Sequence, residues 1–235
     1  MANYSLSVSG AIGTGWEYAK KHGLVIAVII LIISLLANVI QSLFGPSMDA
    51  AEIQRMSERM AQGDMEALQQ FSNLYTSGAS TFGILLGAVI DILLYVGLYN
   101  LALGLVGGTM DSVSFNAFKL PVGVYVKYFV VQILVDIIDS IALFCCVVPF
   151  FFVAPRLVFA PLYVINNPEA GVFEAIKASW GMTKGNLLAL IGLGFAFIGI
   201  IFVGFLCCCV GAYFAAVVIL FAEVAAYYQL RDNWA

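Results

Sequence analysis

The chain has 235 residues, of which 63% are hydrophobic and only 10% charged, and its net charge is −4. Soluble domains average roughly 45–50% apolar and 25% charged residues, so this composition excludes a water-soluble globule. It predicts an all-α fold: a polytopic helical bundle that forms a single membrane domain and leaves little room for a soluble catalytic domain.

Six apolar stretches approach the roughly 20 residues that a transmembrane helix needs. The predicted spans are 23–44, 81–105, 123–148, 150–165, 187–206 and 210–230. The fourth span is the shortest and contains prolines. Between and around the spans lie an interfacial helix at 1–22, an extracytoplasmic loop at 45–80, a cytoplasmic loop at 106–122, an interfacial helix at 166–186 and a cytoplasmic tail at 231–235. Residues 1–22 lack the features of a cleavable leader, so we expect the first span to remain as an anchor.

The distribution of Lys and Arg over the loops predicts the orientation of the chain, because cytoplasmic loops are enriched in these residues. With the N-terminus inside, the cytoplasmic segments hold seven basic residues and the outer segments hold two. The seven are Lys20, Lys21, Lys119, Lys127, Lys177, Lys184 and Arg231, and the two are Arg55 and Arg59. We therefore expect both termini to be cytoplasmic.

A sequence repeat precedes the first and fifth spans. "VSGAIGTGWEYAK" (8–20) and "VFEAIKASWGMTK" (172–184) share five identities in thirteen positions at a constant offset of 164. Each copy is expected to be an amphipathic helix at the membrane surface, with Trp at headgroup depth and Lys reaching water. Since both copies start on the same side, the repeat is parallel. The predicted interfacial anchors are Trp16, Lys20, Trp180, Lys184 and Asn186. These helices either orient the following span or bind a partner or lipid headgroups.

The outer loop contains two short amphipathic segments separated by Gly63, with Asp64 as the expected cap of the second. Each has an apolar, Met-containing edge. This edge either packs on the membrane domain or receives a partner protein, so residues 48–74 are a candidate partner-binding segment.

Five ionisable side chains lie inside the predicted spans, namely Asp91, Asp136, Asp139, Arg156 and Glu223. A central charge costs roughly 2.5–3.5 kcal/mol on insertion scales, so these groups should face the bundle interior. Counting helical rise from the span ends places Asp136 and Arg156 at one depth on neighbouring antiparallel spans. We expect them to form an ion pair, with Asp139 as a second acceptor. Asp91 and Glu223 then serve either as a proton relay or as neutral hydrogen-bond donors.

Prolines are expected to break the helix in and before the fourth span, at Pro149, Pro155 and Pro161. Pro155 and Pro161 lack the N–H groups that would bind the carbonyls of Phe151 and Leu157, and in hydrocarbon these carbonyls need other partners. The guanidinium of Arg156 has five donors. Arg156 therefore either has a structural role, as a donor to these carbonyls and to a carboxylate, or is part of a broken-helix binding site for an anionic group.

No catalytic motif is recognisable. The only histidine is His22, and phosphate-binding loops, nucleophile elbows and metal-ligand spacings do not occur. The cysteines are clustered as Cys145–Cys146 and Cys207–Cys208–Cys209, and they are either small packing residues or a disulfide between spans three and five. The sequence predicts no enzyme activity, no cofactor, no metal site and no nucleic-acid partner.

The segments "APRLVFAPLYVINNPEAGVFEAIKASWGMTKGNLLAL" (154–190) and "AAYYQLRD" (225–232) carry a resemblance to a known family. They are similar to bacterial six-span membrane proteins grouped with the glycerophosphodiester phosphodiesterase membrane domain and related families of unknown function. The matching residues are Pro155, Arg156, Pro168, Ala175, Ser179, Trp180, Lys184, Gly185, Asn186, Tyr228 and Leu230. The resemblance implies a bacterial inner membrane protein, but no phosphodiesterase activity, because that chemistry belongs to a soluble domain that these segments do not include.

Two functions are compatible with these features. The first is a non-enzymatic scaffold or accessory component that lies in the lipid bilayer and binds a membrane partner or lipid through residues 48–74 or the interfacial helices. The second is a small transporter or lipid-handling protein with a polar site at the broken fourth span.

Overall fold

The computed structural model describes residues 6–44, 50–76, 78–145, 147–206 and 208–234. In these ranges the chain is helical, without strands, as the sequence predicts. The α-helices are α1 (Val8–Phe44), α2 (Ala50–Ala61), α3 (Met65–Thr76), α4 (Gly78–Val106), α5 (Val122–Cys145), α6 (Val147–Leu157), α7 (Ala160–Asn166), α8 (Val172–Met182), α9 (Leu187–Leu206) and α10 (Cys208–Trp234). A short 3-10 helix, Phe115–Phe118, lies between α4 and α5.

Six helical stretches in the described residues are long and apolar enough to cross a membrane, which confirms the predicted number. They are Val8–Leu36, Leu85–Val106, Val122–Cys145, Pro149–Asn166, Leu187–Leu206 and Gly211–Trp234. Large apolar side chains such as Leu188, Phe202 and Phe205 are exposed along α9, as contact with lipid requires. The chain is a multi-pass membrane protein.

The chain divides into two compact units. Unit 1 consists of Met1–Ile30 and Leu93–Ala235, and unit 2 consists of Leu31–Ile92. The division falls within α1 and within α4.

The core of unit 1 is formed largely by α10, which is buried on most of its surface. Phe221 and Tyr227 are among its largest fully buried side chains. Tyr227 accepts a hydrogen bond from Asn166 Nδ2 at 3.3 Å, and the neighbouring Tyr228 hydroxyl donates to the carbonyl of Leu103 at 2.9 Å. Hydrogen bonds of these two tyrosines therefore connect α10 with α7 and with the C-terminal end of α4.

The two copies of the repeat are buried at equivalent positions in unit 1. Ala11 and Ala175 are fully buried, whereas Trp16 and Trp180 are 47% and 42% exposed. Lys20 and Lys184, at the last shared position, are both exposed. Each copy thus packs its small face on the protein and leaves its aromatic and basic face outside.

The copies differ in how they continue into the next span. The first copy is continuous with its span, since α1 runs without interruption from Val8 to Phe44; the expected separate helix at 1–22 is therefore the first part of a longer helix. The second copy ends at Met182, before α9, because Gly185 adopts a positive φ of 88°. Lys21 is the equivalent residue in the first copy, and a Cβ-bearing side chain disfavours that conformation.

The helical hairpin α2–α3 in unit 2 has the geometry that the sequence predicts. Gly63 turns the chain with a φ of 81°. Asp64 Oδ1 caps α3 by accepting the N–H groups of Glu66 at 2.9 Å and Ala67 at 3.3 Å. Its second oxygen accepts a hydrogen bond from Arg59 Nε at 2.8 Å. These bonds hold the pKa of Asp64 below its usual value of 3.8, with the bond from Arg59 as the largest cause.

We predict that Arg59→Gln raises the pKa of Asp64 towards 3.8, because the strongest interaction with the carboxylate is removed. Carboxyl ¹³C NMR of the labelled protein during an acid titration measures this change.

Since the folded-state pKa is lowered, Asp64 stabilises the hairpin above pH 3.8, and that contribution is lost as the pH falls through the folded-state pKa. Arg55→Gln, which neutralises a nearby exposed Arg, should leave the pKa unchanged; an equal effect of both variants would contradict this interpretation.

Candidate functional site

The fourth span is divided into two helices, α6 and α7, by a turn at Val158 and Phe159. Pro155 lies in the last turn of α6, and Pro161 lies in the first turn of α7, where a missing N–H is tolerated. The predicted breaks at Pro155 and Pro161 are thus the two borders of one interruption. Pro149 lies in the first turn of α6 and does not break a helix.

The backbone at this interruption is stabilised by α8. The hydroxyl of Ser179 donates a hydrogen bond of 2.7 Å to the carbonyl of Arg156. In an uninterrupted helix that carbonyl would bind the N–H of Ala160, four residues on. Ser179 is fully buried, and Ala175, one turn earlier on α8, packs with Val131 and Leu157. The hydroxyl of Ser179 therefore stabilises one carbonyl at the interruption, that of Arg156, whereas the sequence predicts unpaired carbonyls at Phe151 and Leu157.

The Arg156 side chain lies over the ring of Trp180, with its guanidinium carbon 4.7 Å from the ring centroid. The expected ion pair with Asp136 is wrong, because among the described residues the Arg156 guanidinium has no carboxylate within ion-pair distance. Equal depth in the membrane does not bring Arg156 and Asp136 into contact, because the direction in which each side chain points around its helix axis matters as well.

A cavity of about 540 Å³ lies in unit 1, bounded by the ends or faces of α4, α5, α6, α7, α9 and α10. On α6 and in the turn that follows it, the walls include Ala154, Pro155 and Val158, but not Arg156. Residues two apart on a helix point about 200° from each other, so Arg156 lies on the opposite side of α6 from Ala154. An anion bound by Arg156 would therefore lie outside this cavity.

One face of α5 supplies most of the polar wall. Tyr128, Gln132, Asp136 and Asp139 follow one another at spacings of four, four and three residues and all line the cavity. Gln132 Nε2 donates a hydrogen bond to Asp136 Oδ1 at 3.0 Å. Asp139 Oδ1 is buried and has no hydrogen-bond partner. Burying a carboxylate oxygen without a donor is costly, so this atom is available for a ligand that donates a hydrogen bond.

Glu223 of α10 adds a third carboxyl group to the cavity. Its Oε2 accepts a hydrogen bond of 2.9 Å from the hydroxyl of Tyr99 on α4, and both residues line the cavity. No Lys, Arg or His is among the described residues in the wall. The rest of the wall is mainly apolar, from Phe150 on α6 to Ile198 on α9. The cavity thus combines an acidic side with an apolar remainder.

The three carboxyl groups do not form a metal site. Across the described ranges, no group of three or more His, Cys, Asp and Glu side chains is arranged to hold a metal ion.

The remaining predicted site residues lie elsewhere. Asp91 is exposed and belongs to unit 2, whereas the other four charges belong to unit 1. The ring of Trp16 packs edge-on against Phe214. Lys20 Nζ lies 5.4 Å from the centroid of the Trp16 ring. Asn186 is buried rather than a surface anchor, because its Oδ1 accepts the backbone N–H of Leu6 at 2.8 Å.

Of the clustered cysteines, Cys145 is an exposed free thiol at the end of α5. Cys146 and Cys207 lie outside the described residues, and so do the side chains of Cys208 and Cys209.

A scan against protein-family models found no match to the chain, and neither did searches of the curated proteins and of the solved structures.

The site also contains four residues that are not among those predicted from the sequence: Tyr99, Tyr128, Gln132 and Ser179. Two of them have a recognisable signal, because Tyr128 and Gln132 extend the helical spacing of Asp136 and Asp139 along α5. Tyr99 has no such signal, since its partner Glu223 is 124 residues away.

We predict that Ser179→Ala destabilises the protein by about 1–3 kcal/mol, because the carbonyl of Arg156 loses its donor in a buried place. Thermal unfolding in detergent measures the change. Ser140→Ala is the matched control, since Ser140 is exposed on α5 and its substitution should have little effect. Equal unfolding temperatures for the two variants would contradict the role of Ser179.

Proposed function

We propose that this protein binds an amphipathic organic cation in the cavity of unit 1 and acts as a small transporter or lipid-handling protein. The observation that carries the proposal is the composition of the wall: three carboxyl groups, no basic side chain among its described residues, and an apolar remainder. Carboxylates in a membrane interior are expensive unless they are neutralised by a proton or a cation. A cationic head satisfies this requirement, and an apolar tail fits the rest of the wall.

The size of the cavity agrees with such a ligand. Small-molecule sites typically measure about 300–1,000 Å³ and are apolar with a few converging polar groups. The cavity of about 540 Å³ lies within that range. Asp139 Oδ1, buried and unpartnered, supplies a specific acceptor for an ammonium N–H.

We further propose that the protein is non-enzymatic, lies in a bacterial cytoplasmic membrane with both termini inside, and belongs with the six-span family that it resembles. The orientation rests on the seven basic residues against two in the connecting segments. Membership of the family rests on residues 154–190 and 225–232, whose Ser179 and Trp180 both contact Arg156.

A scaffold or accessory role is a second candidate function, and unit 2 provides the observation in its favour. Ile53 on α2 and Met65 and Leu68 on α3 are 56%, 73% and 44% exposed. Apolar side chains at this exposure give the hairpin a surface that a membrane partner can cover.

We predict that Glu223→Gln weakens binding of a fluorescent amphipathic ammonium probe about tenfold or more, because one charge-assisted contact is lost. Binding of an uncharged analogue of the same shape should not change. The substituted amide still offers an oxygen to the Tyr99 hydroxyl, so the fold should be kept. Fluorescence titration of the purified protein measures both affinities. Equal affinity of the variant and the unmodified protein for the cation would contradict the proposal.

We predict that Gly194→Leu weakens binding of both probes, because Gly194 lines the cavity. Gly192→Leu is the matched control on the same helix: a Cβ at either glycine meets no atom within 4 Å, but Gly192 is not part of the wall. The same titrations compare the two variants. If Gly192→Leu reduces binding as much as Gly194→Leu does, the ligand is not in this cavity.

Deletion of residues 48–74 separates the two candidate functions. We predict that probe affinity is unchanged, because the cavity lies in unit 1 and the deleted hairpin in unit 2. Mass spectrometry of proteins that co-purify before and after the deletion tests the scaffold role. A stoichiometric partner that disappears with the hairpin, together with a full-length protein that binds no cationic probe, would favour the scaffold.

A further inference from the structure

Arg156 is an unpaired cation on the side of α6 that faces away from the cavity. Its side chain is half-buried, and among the described residues it has neither an ion-pair partner nor a hydrogen-bond acceptor. Its contact is with the ring of Trp180. Stacking covers a face of the guanidinium but leaves the N–H groups at its edge unused.

Arg231 in the same unit has the arrangement that Arg156 lacks. Its guanidinium also lies over an aromatic ring, that of Tyr228, at 4.4 Å. Its edge, however, donates hydrogen bonds to Asp232 Oδ1 at 2.9 Å from Nε and 2.7 Å from the terminal nitrogen. The stacked guanidinium of Arg231 thus binds a carboxylate through its N–H groups, whereas the N–H groups of Arg156 have no such partner among the described residues.

The surroundings of Trp180 favour an anion from outside the chain. The ring is 42% exposed, so the contact is accessible from the membrane. Lys177 lies three residues before Trp180, Lys184 lies four residues after it, and both are exposed. The nearby acidic residue of α8, Glu174, accepts the N–H of Gly171 at the start of the helix. This basic surface, which we define as Arg156, Lys177, Trp180 and Lys184, lies apart from the carboxyl groups of the cavity wall.

We propose that the basic surface binds the phosphate group of an anionic membrane lipid, with the guanidinium of Arg156 as the bidentate donor. Trp side chains characteristically lie at headgroup depth, and the guanidinium of Arg156 lies against the ring of Trp180. A lipid phosphate beside this ring can reach the edge of the guanidinium. Basic pockets beside membrane helices bind such headgroups, and each basic residue contributes about fivefold in affinity.

The test measures the affinity of the delipidated, full-length protein for a short-chain phosphatidylglycerol by native mass spectrometry. Phosphatidylcholine of the same chain length and inorganic phosphate form the other two arms. We expect phosphatidylglycerol to bind most tightly, and Arg156→Gln to weaken it about fivefold or more. Arg231→Gln is the matched control, because that stacked guanidinium already has Asp232, and it should leave lipid affinity unchanged.

If Arg156→Gln does not fold, a second variant provides the test: the double substitution Lys177→Gln with Lys184→Gln, at two exposed residues. We expect this variant also to have a reduced affinity for phosphatidylglycerol. Unchanged affinity in the folded variants would overturn the proposal. If inorganic phosphate binds as tightly as the lipid, the assignment to a bilayer lipid is overturned. Because these residues do not line the cavity, binding of the cationic probe should be the same in all variants.

Discussion

The interruption between α6 and α7 is the constraint on which the rest of unit 1 depends. A helix that stops inside a membrane leaves carbonyl groups that lipid cannot satisfy, so another part of the protein must supply a donor. Ser179 supplies it to the carbonyl of Arg156. To bring that hydroxyl into place, α8 has to pack against the interrupted span through small residues, and the fully buried Ala175 permits the close approach. Trp180, the next residue after Ser179, then lies beside Arg156.

The same interruption separates Arg156 from the carboxyl groups of the cavity wall. The face of α6 that includes Ala154 borders the cavity, and Arg156 on the opposite face contacts Trp180 of α8. The carboxyl groups of α5 and α10 consequently line the cavity without a Lys, Arg or His among the described wall residues. Both proposals follow from this separation: the acidic side needs a cationic ligand, and the basic surface needs an anionic one.

The sequence predicts the helical class, the six spans and the α2–α3 hairpin well, because apolar length and capping residues are local signals. Capping by Asp64 and the turn at Gly63 are read directly from neighbouring residues. It does not predict the partner of Arg156. Helical rise places Arg156 and Asp136 at the same depth, but rotation about the helix axis directs them to different neighbours. The contact between Ser179 and Arg156 likewise depends on how α8 folds back, which no local pattern encodes.

The central claim, that the interruption directs Arg156 to α8 and away from the cavity, is tested most directly by double-mutant cycles measured by unfolding in detergent. One cycle combines Arg156→Gln with Trp180→Leu, and a parallel cycle combines Arg156→Gln with Asp136→Asn. We predict a coupling free energy of about 0.5–2 kcal/mol between Arg156 and Trp180, as expected for a cation–π contact, and none between Arg156 and Asp136. A larger coupling to Asp136 than to Trp180 would contradict the account.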